Sequence, residues 1–229
     1  MVKPAKEKET RVGLFGGSFD PIHVGHLEIA LLAKRMFNLD EVHFILAKHS
    51  PFKITNQRRS LEADKRLEIL EAALRPYTEL NFKINTLELN RPAPSYSADT
   101  VKEIKKLYPE NHLFWIMGLD CFLELYKWQE LDYLIDNLEF IVFQRKLDEN
   151  LLGEGDSKNT VQQILQHAQL ENKKDRLKFH FIENPYIDVS SSEIKAVFIE
   201  GNATDDLDTK LVNPTKGLII KNYKNLFRE

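Results

Sequence analysis

Short apolar runs alternate with amphipathic stretches along most of the chain, and the two periods predict strands and helices in turn. Arg11-Val12-Gly13-Leu14-Phe15 reads as a buried strand, and Leu27 to Phe37 carries the apolar spacing of a helix. Glu41 to Ala47 predicts a second strand, Ser60 to Leu74 a helix, Leu80 to Ile84 a third strand and Ala98 to Leu107 a helix. The pattern then repeats. His112 to Met117 reads as a strand ending at Gly118, Cys121 to Leu125 and Leu131 to Leu134 as helical, and Glu139 to Phe143 as a strand. Asp148 to Asn159 is polar, with Gly153 and Gly155, and reads as a surface loop; Val161 to Leu170 follows as a helix and Lys178 to Glu183 as a strand. Strands alternating with helices predict a doubly wound α/β architecture, a parallel sheet with right-handed crossovers and helices on both faces. Ligands of such sheets bind beyond the carboxyl ends of the strands. One domain is expected from residue 11 to 229, with residues 1 to 10 a disordered tail.

Composition narrows the class. At 229 residues and 42% hydrophobic the chain can bury a full core. No apolar run reaches the roughly 18 residues that span a bilayer, and the charged start from Met1 to Arg11 does not read as a signal peptide, so a cytoplasmic protein is expected. A lone cysteine, Cys121, forms no internal disulfide, and among Leu119, Phe122, Leu123 and Leu125 it reads as a core thiol. The net charge of -3 lacks the footprint of a polynucleotide-binding protein.

Chemistry concentrates between the first strand and the first helix, at Gly16-Gly17-Ser18-Phe19-Asp20-Pro21-Ile22-His23-Val24-Gly25-His26. Two glycines after a strand let the backbone approach a ligand, and the amides at a helix start favour an anion. His23 and His26 fall in the first helical turn, where both imidazoles can lean toward one ligand, and Gly25 leaves room between them. The P-loop ending and the Gly-x-Gly-x-x-Gly fingerprint are both missing. A solvated pair of histidines, or half of a zinc site, would use the same residues, but the sequence offers no third ligand for zinc.

These eleven positions match in full the signature of the nucleotidyltransferase superfamily with the His-x-Gly-His motif, which implies a Rossmann-like fold. Further segments narrow the resemblance to bacterial nicotinate-nucleotide adenylyltransferases. Leu87 to Thr100, containing Glu88, Arg91 and Ser95-Tyr96-Ser97-Ala98-Asp99-Thr100, is similar to that family's Glu, Arg and Ser-Tyr-Thr-x-Asp-Thr. Gly118, Asp120 and Trp128 resemble its Gly-x-Asp with a following tryptophan, Ser50 to Lys53 its Pro-Pro-His-Lys, and Lys65 to Leu70 its His-Arg-Leu-x-Met-Leu. Asp188 to Lys195 resembles its Ile-Ser-Ser-Thr-x-Ile-Arg; Arg145 also has a counterpart, and Val212 to Phe227 resembles its closing helix. Read without the family, these residues have plainer roles: Ser190 and Glu193 as a capping box, Trp128 as core, Lys53 and Arg66 as solvated charges, Arg145 as a loop residue.

The resemblance implies adenylyl transfer from ATP to nicotinate mononucleotide, giving nicotinate adenine dinucleotide and pyrophosphate, a step of NAD biosynthesis. It places ATP against Gly16, Gly17, Ser18, Phe19, His23, Gly25, His26, Gly118, Asp120, Ser190, Ser191 and Lys195, with His23 and His26 catalytic. It places the mononucleotide against Lys53, Ser97, Asp99, Thr100, Trp128 and Arg145, its carboxylate on backbone amides near Thr100 and Trp128. Mg2+ is expected to ride on the ATP phosphates, as it prefers phosphate oxygens and water to a protein cage. The sequence is compatible with a homo-oligomer. It departs from the family pattern at Lys195, where arginine is usual, and at Phe52 and Lys65, where histidine is. Another transferase of the superfamily, acting on phosphopantetheine, glycerol phosphate or the amide mononucleotide, stays open, as does a nucleotide sensor without turnover. The Ser95 to Thr100 and Trp128 segments argue against the first two acceptors.

Overall fold

The computed structural model describes residues 9–49, 60–144, 157–183, 189–200 and 209–226. Six strands, β1 (Arg11–Gly17), β2 (Glu41–Leu46), β3 (Phe82–Asn85), β4 (His112–Gly118), β5 (Glu139–Gln144) and β6 (Lys178–Glu183), form one sheet in the order β3-β2-β1-β4-β5-β6. Every neighbouring pair is parallel. The chain winds outward from β1 in one direction and then, from β4, in the other. The strand order therefore reverses between β1 and β4, where a crevice opens at the carboxyl ends.

Helices α1 (Val24–Met36), α2 (Ala63–Leu74), α3 (Ser97–Leu107), α4 (Leu119–Leu123), α5 (Leu131–Asn137), α6 (Ser157–His167), α7 (Ser191–Glu200) and α8 (Lys216–Leu226) cover the two faces. Side-chain alternation along the central strands divides the core in two. Phe15, Phe44, Phe114, Ile116, Ile141 and Phe143 point to one face and pack with residues of α1, α2, α7 and α8. Val12, Leu14, Leu113, Trp115, Met117, Phe140 and Val142 point to the other, against α3, α4, α5 and α6.

The strands and most helices lie where the apolar periods put them, with boundaries moved by a few residues. α2 starts at Ala63 rather than Ser60, and Ser157 to Asn159, expected in the loop, are already helical. Thr10, expected in the tail, accepts the His112 N–H at 2.9 Å. Cys121 is exposed rather than core, because the short α4 turns Phe122 inward instead. No helix among the described residues is long and apolar enough to cross a membrane.

Candidate active site

β1 ends in Gly16 and Gly17 and β4 ends in Gly118, so the two glycine-containing ends flank the crevice. A Cβ on Gly16 would lie 2.8 Å from Cζ2 of Trp115, on the neighbouring strand, so only glycine lets β1 and that indole lie side by side. After Gly17 the chain turns through Phe19, held at a φ of 42° in the left-handed region. Packing over-determines this conformation. The Phe19 ring is buried against Phe15, Phe44 and His26, with centroids 5.6, 5.6 and 5.2 Å away.

His23 is the extended N-cap of α1, with φ -141° and ψ 171°. It is buried, while His26 is half-buried, and their ring centroids lie 3.7 Å apart. The backbone N–H of His23 donates to Nδ1 of His26 at 3.2 Å. With Nδ1 accepting, the neutral imidazole of His26 carries its proton on Nε2, which is thereby a donor at the mouth of the helix.

α7 is strapped to the same turn at two points. The Ser191 hydroxyl donates to the carbonyl of Pro21 at 2.9 Å, and the Lys195 ammonium meets Oδ2 of Asp20 at 2.9 Å. The capping box read in the sequence is present: Ser190 N–H donates to Glu193 Oε2 at 2.9 Å, and Glu193 N–H to Ser190 Oγ at 3.1 Å. Ser190 thus has its amide and its hydroxyl oxygen in the cap. The first-turn amides of Ser191 and Ser192, which have no partner within a helix, are the donors this end of α7 offers.

On the other side of the crevice, Gly118 is the N-cap of α4 and Asp120 lies exposed in its first turn. Half-buried Trp128 and Trp115 pack edge to face, their ring centroids 5.7 Å apart at 86°, and so join the site to the core under Gly16. Ser97 and Asp99 are half-buried in the first turn of α3, and Thr100 is fully buried. The backbone amides of Thr100 and Trp128 themselves are taken up by carbonyls of the chain, which leaves the neighbouring amides as the donors near them. Thr100 N–H donates to Tyr96 C=O at 3.3 Å and Trp128 N–H to Leu125 C=O at 2.9 Å, each closing a turn. The Thr100 hydroxyl is engaged as well, donating to Glu88 Oε1 at 2.7 Å and accepting from Arg91 at 2.5 Å. Burial pushes the Glu88 carboxyl above its ordinary range, although Thr100 and Arg91 pull the other way. Lys53 and Arg145 lie outside the described residues.

One residue expected on the surface is in fact a clamp beneath the site. Arg66 is 5% exposed and donates to Leu61 O at 3.0 Å, Ser18 O at 2.7 Å, Ala47 O at 2.8 Å and Lys48 O at 3.0 Å. Burial lowers its pKa, offset in part by Asp20, yet a guanidinium stays charged. The helical phase carries the signal that could have found it, since Arg66 lies on the stripe of Ile69, Leu70 and Ala73. The buried pair Asp20 and Tyr223 was also missed. Tyr223 follows Ile219 by one turn on the apolar face of α8, but nothing in the sequence brings it to Asp20.

Among the described residues no group of three or more His, Cys, Asp and Glu could hold a metal ion. The site offers instead glycine-opened backbone, two helix N-termini, two imidazoles and an ammonium around one crevice, which suits a polyphosphate.

Comparison with known proteins agrees with that chemistry. Residues 14–197 match the family model described as cytidylyltransferase-like. Among curated proteins named "Probable nicotinate-nucleotide adenylyltransferase", one from Clostridium tetani is 32% identical over 196 residues, 85% of this chain and 90% of its own length. One from Methylacidiphilum infernorum is 42% identical over 145 residues, 63% of this chain and 68% of its own. A solved structure of Plasmodium falciparum nicotinic acid mononucleotide adenylyltransferase complexed with NaAD superposes with a TM-score of 0.73 at 20% identity, covering 96% of this chain and 98% of that one. At that identity the likeness concerns the fold.

Proposed function

Because this chain belongs to the cytidylyltransferase-like family and, within it, to the nicotinate-nucleotide adenylyltransferases, we propose that it transfers the adenylyl group of ATP to nicotinate mononucleotide, releasing pyrophosphate, in NAD biosynthesis. The observation that carries the reading is the His23 and His26 pair at the start of α1, with Ser191 and Lys195 of α7 bonded to the same turn.

The substrate enters as the magnesium complex of ATP, with the metal on phosphate oxygens and water. A phosphate oxygen of the mononucleotide attacks the α-phosphorus in line. A new P–O bond forms as the bond to the bridging oxygen breaks, and the electron pair leaves with pyrophosphate. No side-chain nucleophile is required, so positioning and charge stabilisation carry the rate. The Nε2–H of His26 donates to the α-phosphoryl oxygens, where negative charge concentrates in the transition state. His23 caps α1 beside it. Gly16, Gly17, Ser18 and Phe19 supply the open backbone on which the triphosphate lies, and Gly25 keeps the helix start clear. Lys195 and the first-turn amides of α7 hold the β- and γ-phosphates. Asp120 beside Gly118 takes the ribose hydroxyls. On the acceptor side, Lys53 and Arg145 meet the mononucleotide phosphate and Trp128 stacks the pyridine ring. Since the Thr100 and Trp128 amides are engaged, the ring carboxylate is met by the first-turn amides of α3 around Ser97 and Asp99.

Those donors decide acid against amide. A carboxylate offers only acceptors to them, whereas a carboxamide turns its own NH2 toward a donor and leaves the pair unmatched. That mismatch costs about 1 to 3 kcal/mol and loss of the charge adds to it, so at least roughly tenfold discrimination in kcat/KM is expected. The test is pyrophosphate release from ATP and magnesium with nicotinate mononucleotide, nicotinamide mononucleotide, phosphopantetheine and glycerol phosphate in parallel. Fastest turnover is expected with the nicotinate acceptor. Equal or better turnover of the amide would move the chain off the nicotinate branch, and no pyrophosphate with any acceptor would leave it a nucleotide sensor.

A further inference from the structure

The carboxylate of Asp20 is 3% exposed and lies inside the turn that receives a polyphosphate, so its charge has to be held by neighbours. Among the described residues, donors from three separate parts of the chain reach it. Leu61 N–H, at 3.2 Å, and the Tyr223 hydroxyl both donate to Oδ1. The Lys195 ammonium donates to Oδ2 at 2.9 Å. Two donors on one oxygen fix the plane of the carboxylate, because turning it would strip both from a buried anion. The other oxygen then has one direction, and Lys195 follows it.

We propose that Tyr223 is a positioning residue for the adenylyl transfer: acting through Asp20, its hydroxyl sets where Lys195 presents its charge to the polyphosphate of ATP. This rests on reading Lys195 as a polyphosphate contact. An ammonium on a four-carbon stem is a mobile point charge, and unlike a guanidinium it has no planar fork to fix its own orientation. Asp20 takes one of its three donors and leaves two for phosphate oxygens. The Lys195 side chain is 19% exposed, between the buried carboxylate and solvent. Tyr223 is itself fully buried, and burial beside Asp20 drives its phenol far above the ordinary value, so it is a proton donor at any working pH. Its ring stacks on Phe198 of α7 at 5.5 Å and 16°, which anchors α8 without the hydroxyl.

Tyr223→Phe removes the hydroxyl and keeps that stack. In the full chain, followed by pyrophosphate release, KM for ATP should rise about tenfold, one hydrogen bond to a charged group expressed as a ratio. KM for nicotinate mononucleotide should hardly move, while the melting temperature falls modestly, because Asp20 keeps Leu61 and Lys195 as donors. Lys195→Ala supplies the reference. If it raises KM for ATP and Tyr223→Phe added to it raises KM no further, the hydroxyl acts through Lys195. If Lys195→Ala raises KM but Tyr223→Phe leaves it alone, or raises KM for both substrates alike, the proposal is overturned and Tyr223 is only a packing residue. If Lys195→Ala leaves KM for ATP unchanged, the reading of Lys195 fails first and the proposal falls with it. Should Tyr223→Phe not fold, Asp20→Asn keeps an acceptor for Leu61 and Tyr223 but turns an NH2 on Lys195. The same selective rise in KM for ATP is then expected, and an unchanged value overturns the path through Asp20.

Discussion

Nδ1 of His26 accepts the backbone N–H of His23 at 3.2 Å, so a single bond both closes the first turn of α1 and assigns the imidazole proton to Nε2. The consequence is a preorganised donor whose orientation is set by the backbone it caps. His26→Ala should lower kcat by about 10²-fold or more, as for other donors aimed at developing charge, with little change in KM for ATP. Steady-state pyrophosphate release checks this, and a variant with near-full kcat would take His26 out of the chemistry.

Arg66 tests how the turn is supported. Removing the guanidinium strands four carbonyls, those of Ser18, Ala47 and Lys48 part-buried and that of Leu61 buried. Arg66→Ala should therefore cost at least about 3 kcal/mol in equilibrium urea unfolding. Arg66→Lys, with three donors on a point charge, should cost less but still lower activity if the turn carrying the Ser18 carbonyl receives the triphosphate as proposed. Wild-type stability in the alanine variant would contradict the clamp.

The two crevice glycines should fail differently. Gly16→Ala drives a methyl into the buried Trp115 ring, an overpacking cost of about 1 to 3 kcal/mol, and displaces Trp128 through the edge contact. A lower melting temperature with a raised KM for the mononucleotide is expected. At Gly118 the added methyl meets only Oδ1 of Asp120, the end of an exposed side chain that can swing aside. Gly118→Ala should leave the melting temperature nearly unchanged and raise KM for ATP. An unchanged KM would show that Asp120 has no part in binding the ribose.

At the opposite ends of the strands, Glu139 bonds His112 Nε2 at 2.9 Å and His180 Nε2 at 3.1 Å. Burial alone would raise its pKa, but the bonds from His180 and His112 outweigh burial and hold it below the ordinary 4.5. Below that value the unfolded chain binds a proton that the folded state resists. The stabilisation is thus present above pH 4.5 and is lost as pH falls through the lowered value. Thermal melts of Glu139→Gln should start lower at neutral pH and fall less steeply on acidification, with kcat unaltered. Parallel curves for variant and wild type would exclude the linkage.

Much of this protein is written in local order. Strand and helix periods are properties of neighbouring residues, so the β1 to α1 unit, the alternation of elements and the cap formed by Ser190 and Glu193 were legible in the sequence. The signature from Gly16 to His26 is local in the same sense, since strand, turn and helix start are contiguous. The order β3-β2-β1-β4-β5-β6, which sets Gly118 of β4 beside Gly16 of β1, depends on crossovers that no local pattern encodes. Burial of polar groups is equally non-local. Arg66, read without the family, is a solvated charge, and nothing beside Asp20 or Tyr223 in the sequence names the donors that reach them from distant parts of the chain. Cys121 went the other way, its apolar neighbours suggesting a core that a five-residue helix turns toward Phe122 instead. Sequence alone therefore determined the strand, the glycine turn and the helix start that carries His23 and His26. Which charges and hydrogen bonds hold that turn in place was decided by the tertiary structure, because a buried polar group is stable only beside partners that folding brings to it.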